Sequence, residues 1–275
     1  MLTAATGGVP LQRAFGQLAV SIGRRGETSV LDDLRQVGCL KARFPRGDSP
    51  DWLNIVMLNT SGGIAGGDAL EHRFVVGPGA RATIAGQAAE RFYRALTCGD
   101  ASSVRTRLTV APGSAAEWLP QETILFDGCS VRRRLTAELS ADAWFVGVES
   151  LIFGRAAMGE VVQRASLRDL IEIRRDDRLL LYDAIRLEGE VAEAMRRAAV
   201  ADGARAIATV VHVAPDAEAM LNAVRTAAPQ CGASAWDGML IARVLAPDSA
   251  VLRAAVIDIL RVLRRGRPLP RVWLC

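Results

Sequence analysis

The sequence predicts a mainly β protein: stacked, solenoid-like β-sheets over residues 1–202, then a small C-terminal α+β lobe with about two helices over 203–275, packed on the β body as one structural domain. Three observations predict it. Short apolar runs of strand composition, broken by Gly and Pro turns, fill the chain to about residue 190. A strand–turn phrase returns after 34 residues, Phe74-Val75-Val76-Gly77-Pro78-Gly79-Ala80 and then Leu108-Thr109-Val110-Ala111-Pro112-Gly113-Ser114. Beyond Gly203, helical spacing of apolar residues appears between strand-like runs.

In chain order, the first strands are expected at Leu18 to Ile22, Thr28 to Leu31 and Leu40 to Phe44, with a turn at Gly23–Gly26. Pro45 and Pro50 bracket a polar loop before the apolar run from Leu53 to Leu58. The 34-residue phrase has a degenerate third copy, Glu138-Leu139-Ser140-Ala141-Asp142-Ala143. Each copy reads as strand, tight turn, strand, with Pro and Gly where a β-turn uses them. Repeats of this length stack because one unit cannot bury its apolar face alone. Layered antiparallel sheets, a solenoid, or homologous hairpins of an ordinary sandwich all satisfy the pattern from about residue 70 to 190. Residues 167–187 read as a hairpin turning at Asp176-Asp177, with Asp183 on the face of Leu179, Leu181 and Ile185. An acid on an apolar face needs a partner, a proton or a cation.

In the lobe, Ala206 to Val213 and Met239 to Leu245 read as strands, and Asp216 to Ala227 has helical spacing, giving the order β-α-β-α. The clearest helix is 249–264, where Leu252, Ala255, Val256, Ile259, Leu260 and Leu263 share one face, capped by Asp248 or Ser249. A further helical pattern at 190–201 is hemmed in by Gly189 and Gly203.

Composition narrows the function. Half of the 275 residues are apolar and 23% are charged, as in a globular protein with a real core. No run is long and uncharged enough to span a membrane, and Met1 to Pro10 lacks the pattern of a signal peptide, so a cytoplasmic protein is expected. Cys39, Cys98, Cys129, Cys231 and Cys275 are odd in number and scattered, which argues against a disulfide framework. Lys41 is the sole lysine among 34 basic residues. The clusters Arg132-Arg133-Arg134 and Arg264-Arg265 with Arg267 are short and lack interleaved aromatics, so they read as solvated faces and point away from nucleic acid.

The most distinctive stretch is Leu58-Asn59-Thr60-Ser61-Gly62-Gly63-Ile64-Ala65-Gly66-Gly67-Asp68. Its glycine run ends in Asp68 instead of Lys-Ser/Thr, which removes a P-loop, and its spacing fails the dinucleotide fingerprint. His72 and His212 are the two histidines and form no His-Glu-x-x-His, and no Gly-x-Ser-x-Gly elbow appears. A binding or scaffold protein is favoured over an enzyme, with a carboxylate-dependent metal hydrolase built on the acids near Asp68 and Glu122 as the alternative.

Five phrases, in order over nearly the whole chain, resemble the urease accessory protein UreD (UreH) family. They are Asn59 to Asp68, Gln87-Ala88-Ala89-Glu90-Arg91-Phe92-Tyr93-Arg94, Glu117-Trp118-Leu119-Pro120-Gln121-Glu122 running on to Gly128, Phe153-Gly154-Arg155 running on to Glu160, and Leu269-Pro270-Arg271-Val272-Trp273. The resemblance implies a non-enzymatic scaffold that assembles with UreF, UreG and the urease apoprotein so that nickel reaches the urease active site. It also implies a largely β fold and passage of transient Ni²⁺ through the interior, with no tightly bound cofactor. Carboxylate and water hold Ni²⁺ less firmly than imidazole or thiolate, which suits a relay. Asp68, Glu149 and Asp183 are the first candidates for metal contact, and the family carries acids at the latter two positions. Glu122, Asp127 and Glu160 form a second tier.

Overall fold

The computed structural model describes residues 12–47, 49–96 and 100–274. Two sheets face each other across the main core. Numbered in chain order, the first sheet runs β14 (Arg178–Glu190), β13 (Arg164–Arg175), β11 (Ser130–Leu139), β8 (Ser102–Val110), β5 (Ala69–Val76), β1 (Phe15–Arg25) and β2 (Thr28–Gly38). The second runs β16 (Gly232–Trp236), β17 (Met239–Ala246), β15 (Ala206–Val213), β12 (Trp144–Phe153), β9 (Ala115–Leu119), β6 (Arg81–Gly86), β4 (Leu53–Asn59) and β3 (Leu40–Arg43), with β7 (Glu90–Phe92) and β10 (Thr123–Leu125) attached beside β12.

From β4 to β13 the longer strands alternate between the sheets, and from β6 onward each pairs in parallel with the preceding long strand of its own sheet. This is the solenoid alternative. The 34-residue phrase is its register: Phe74 pairs with Leu108 and Val76 with Val110, and the third copy continues the stack through Leu139 opposite Val110. The Pro-Gly turns are therefore corners carrying the chain from one sheet to the other, not hairpin turns within a sheet. Gly79 and Gly113 both take φ of +67°, closed to most side chains, so the corners superimpose.

The hairpin at 167–187 forms as β13 and β14, with Asp176 and Asp177 both at positive φ, as a two-residue type I′ turn requires. One expectation fails there. A bulge between Ile173 and Arg174 shifts the register, so Leu179 is 45% exposed and does not share the inward face of Asp183. β2 also runs on to Gly38, because its polar residues sit on a sheet edge open to water.

The C-terminal strands extend the second sheet directly. Their order is β15-α-β16-β17-α, one strand more than expected. Its marker is Asp237-Gly238, a strong hairpin signal, with both residues at positive φ. The 190–201 pattern yields only α1 (Val191–Arg196), and Asp216–Ala227 becomes a 3-10 turn followed by α2 (Leu221–Ala227). α3 (Ser249–Leu263) matches its expectation: the six predicted apolar residues are buried and the Asp248 carboxylate accepts from Val251 N at 2.9 Å. With α2 it covers the outer face of the second sheet in a separate apolar cluster. Cys39, Cys129 and Cys231 are free thiols, while Cys98 and Cys275 lie outside the described residues.

One buried carboxylate ties this covering layer to the solenoid. Glu117 on β9 is fully buried on the outer face. It accepts Thr83 Oγ1 at 2.6 Å and a fork from Arg264, Nε at 2.8 Å and Nη2 at 3.1 Å, and also pairs with Arg267. Arg264 is 4% exposed, so this part of the basic cluster is an anchor, not a solvated face. Removing one partner of a buried ion pair strands the other. We expect Glu117→Gln to lower unfolding free energy by about 3 kcal/mol, read as a reduced urea midpoint with an unchanged m-value.

Candidate functional site

Strand alternation sends every second side chain of each sheet into the space between them. Most are apolar, but a row of polar side chains crosses the strands. On the first sheet it comprises His72 (β5), Thr106 (β8), Arg133 (β11), Asp169 (β13) and Asp183 (β14). On the second it comprises Trp118 (β9), Glu149 (β12), Thr209 (β15) and Arg243 (β17). Register places His72 beside Thr106, Arg133 beside Asp169, and Glu149, Thr209 and Arg243 abreast.

Two cavities lie along this row. The larger, about 280 Å³, is lined at one end by Gly62, Gly63 and Glu90 and deeper by His72, Trp118, Arg133 and Glu149. The smaller, about 10 Å³, is lined by Glu149, Asp169, Asp183 and Thr209 with four aliphatic neighbours. Glu149 faces both. A single water needs roughly 10–15 Å³ measured this way, so the first cavity holds many waters and the second about one.

Arg133 bridges the sheets where the cavities meet. Its Nε and Nη2 donate to the Asp169 carboxylate at 2.8 and 2.6 Å, and Nη1 donates to Thr123 Oγ1 at 2.7 Å. Nη1 also lies 2.7 Å from Glu149 Oε2, without the alignment of a hydrogen bond, so that buried oxygen has no hydrogen-bond donor. Glu149 Oε1 accepts Trp118 Nε1 at 2.8 Å. At the far end Arg243 pairs with Asp183 across the sheets.

Burial sets the protonation chemistry. It works against the charge of Arg133, but Asp169 and Glu149 outweigh it and hold the guanidinium above its ordinary range. Burial pushes the Glu149 carboxyl up, against the pull of Arg133. It likewise raises Glu90, against two donated N–H contacts from Asn59 at 3.2 Å. His72 is forced down to about 4 by desolvation, so it is a neutral imidazole at pH 7. The surface it keeps open faces the cavity. Cys129, raised to about 12 by burial, stays a thiol and offers no thiolate.

Of the residues singled out from sequence, Glu149 and Asp183 meet at one cleft. The others do not join them. Asp68 is 4% exposed and spends both oxygens on backbone, accepting Ala14 N at 2.7 Å and Ala65 N at 2.8 Å. It fixes the glycine loop from behind, while Gly62 and Gly63 form part of the cavity wall. Gly66 is needed in that loop because a Cβ there would meet Asp100 O at 2.6 Å. Glu122 pairs with Arg253 at 2.7 Å. Asp127 accepts from Gln163 N, Arg164 N and Arg94, and Glu160 from Asp127 N and Arg155, so both staple turns. Asp68 and Glu122, the acids of the hydrolase alternative, have different partners: backbone N–H groups for Asp68 and Arg253 for Glu122. Among the described residues, no three His, Cys, Asp or Glu side chains form a group fit to hold a metal ion.

Sequence reading missed Arg133 and Asp169 and gave little weight to His72. Asp169 was detectable, since it falls on the apolar period of Leu167, Ile171 and Ile173, all buried. Arg133 shares its period with buried Val131 and Leu135, contrary to the solvated-face reading, but arginines on both sides masked it.

Fold and site together define a β-solenoid with an internal polar corridor in which Glu149, Asp169 and Asp183 gather at the narrow cavity, two of them paired to Arg133. A family model described as UreD urease accessory protein matches residues 14–274. The chain is 46% identical over 267 residues to the urease accessory protein UreD of Dinoroseobacter shibae, covering 96% of this chain and 93% of that one. It is 43% identical over 266 residues to the UreD of Xanthobacter autotrophicus, covering 95% and 90%, and 40% identical over 263 residues to that of Agrobacterium fabrum, covering 95% and 92%. The chain belongs to the UreD family of urease accessory proteins. No helix among the described residues is long and apolar enough to cross a membrane.

The lowered His72 value carries a sign. The unfolded chain takes up this proton near 6.5 and the folded protein resists until about 4, so the associated stability is full above 6.5 and lost as pH falls through that window. Between pH 7 and 4.5 the loss from this residue is on the order of 2 kcal/mol. Urea melts of His72→Gln should show a correspondingly flatter pH dependence than the parent; identical slopes would show that His72 is not the responsible group.

Proposed function

We propose that this protein acts in urease maturation as a non-catalytic scaffold, assembling with UreF and UreG on the urease apoprotein, and that Ni²⁺ moves through its interior on the way to the urease active site. Family membership supports the first part. The observation that carries the second is Glu149, a buried carboxylate that lines both cavities and keeps one oxygen without a hydrogen-bond donor.

The corridor chemistry suits a cargo that must be released. At the wide end a hydrated ion fits among Glu90, neutral His72 and the glycine loop. Toward Asp183 the space of about one water forces the ion to exchange hydration for carboxylate oxygen. Carboxylate oxygen and water hold the ion loosely enough to pass it on, and the narrow cavity is lined by acids, Thr209 and aliphatic side chains with no imidazole or thiolate to retain it.

Co-purification with UreF and with urease apoprotein tests the scaffold role, and failure to retain either removes it. The path is tested separately by the double variant Glu149→Gln, Asp183→Asn. Urease activation should fall by about tenfold or more, the scale seen when groups around a metal site are altered, with complex assembly intact. Undiminished activation would take both residues out of the path.

A further inference from the structure

Arg133 stands where a cation in transit would have to stand. Its guanidinium occupies the Asp169 carboxylate through two bonds and lies against Glu149 Oε2, and these two acids, with Asp183, line the narrow cavity beside it. Arg133 itself faces only the wide cavity. With both acids ionised, the cluster carries two negative charges against one positive. A divalent ion joining it without displacing the arginine leaves an excess positive charge in a buried site, while an ion replacing it on the two acids gives neutrality. The arginine also has somewhere to go. The space of about 280 Å³ lies on its side, and Thr123 Oγ1, already bonded to Nη1, lines that space.

We infer that Arg133 is a built-in counter-cation that closes the junction between the two cavities, and that a divalent metal ion crosses by taking its place on Glu149 and Asp169 while the guanidinium withdraws into the wide cavity. This rests on the corridor being a cation path, and it assigns Arg133 a gating role and Asp169 a metal contact. Both acids are more than nine-tenths buried, at 7% and 6% exposure, and Glu149 Oε2, held by its ion pair with Arg133 and by no hydrogen-bond donor, is the acceptor an arriving ion takes over. Exchange of ligands between two cations makes crossing dependent on the ion's charge: a monovalent ion in place of Arg133 leaves the two acids with the same excess negative charge and gains nothing by the exchange, whereas a divalent ion neutralises them.

The test uses the isolated protein, so its result is independent of partner assembly and of urease activation. Wild type, Arg133→Gln and the triple variant Arg133→Gln, Glu149→Gln, Asp169→Asn are titrated with NiSO₄ by calorimetry and followed by thermal melting. Arg133→Gln should melt below wild type, bind Ni²⁺ about tenfold or more tightly, and recover melting temperature as Ni²⁺ is added; the triple variant should lose both responses. Equal Ni²⁺ affinity in wild type and Arg133→Gln, or binding that persists in the triple variant, overturns the inference. If Arg133→Gln does not fold, Arg133→Lys serves instead. Its single ammonium cannot make the paired bonds to Asp169 and still reach Glu149, so Ni²⁺ should bind it more tightly than wild type, and equality again overturns the gate.

Discussion

A guanidinium buried between two β-sheets has to be matched from both of them, and that requirement organises the interior of this protein. Arg133 donates two bonds to Asp169 on the neighbouring strand and makes its other charge contact with Glu149 on the opposite sheet. The ion cluster ties the two sheets together where apolar packing gives way to polar groups, as the Arg243–Asp183 pair does farther along the row. Breaking such a cluster leaves charges stranded, so the row holds together as a unit. A core without it would pack more tightly and have no corridor.

Solenoid winding makes that row affordable. Because successive strands alternate between sheets and pair in parallel, residues at one height in every rung line up across the strands. The polar row follows this register with one step: His72 pairs with Thr106 and Arg133 with Asp169, but Thr106 stands beside Leu135, two residues on from Arg133, while on the opposite sheet Glu149, Thr209 and Arg243 stand abreast across antiparallel pairs. The second sheet is covered on its outer face by α3 and by the C-terminal arm, clamped through Glu117 to Arg264 and through Trp273 Nε1 to Leu119 O at 3.0 Å. Glu117 and Trp118 are neighbours in one strand, yet one holds the outer layer and the other donates to Glu149 inside. That alternation places the outer clamp and the corridor wall on adjacent residues.

Much of this was legible in the sequence where the signal is local or periodic. The 34-residue phrase announced the strand register, and the apolar stripe of 249–264 announced α3 face and cap together. Glu149 and Asp183 were legible as acids in apolar strands. What stayed hidden depends on contacts made far along the chain. Arg133 looks like its neighbours Arg132 and Arg134 until the strand direction is known, and its partner Asp169 is 36 residues away. Asp183 finds Arg243 only once the sheets face each other, at a separation of 60 residues. Asp68 follows a glycine run as a metal ligand might, but the loop folds back so that two backbone N–H groups claim its oxygens. The exposed Leu179 depends on a bulge that no alternation pattern records.

The claim on which the account rests is that the polar row carries a divalent cation through the interior. Nickel-edge anomalous diffraction from crystals equilibrated with Ni²⁺ tests it most directly. Anomalous peaks are expected inside the wide cavity, within coordinating reach of Glu149 or His72, accompanied by a displaced Arg133 side chain. Nickel confined to the outer surface, with the Arg133 bonds to Asp169 and its contact to Glu149 unchanged, would contradict it.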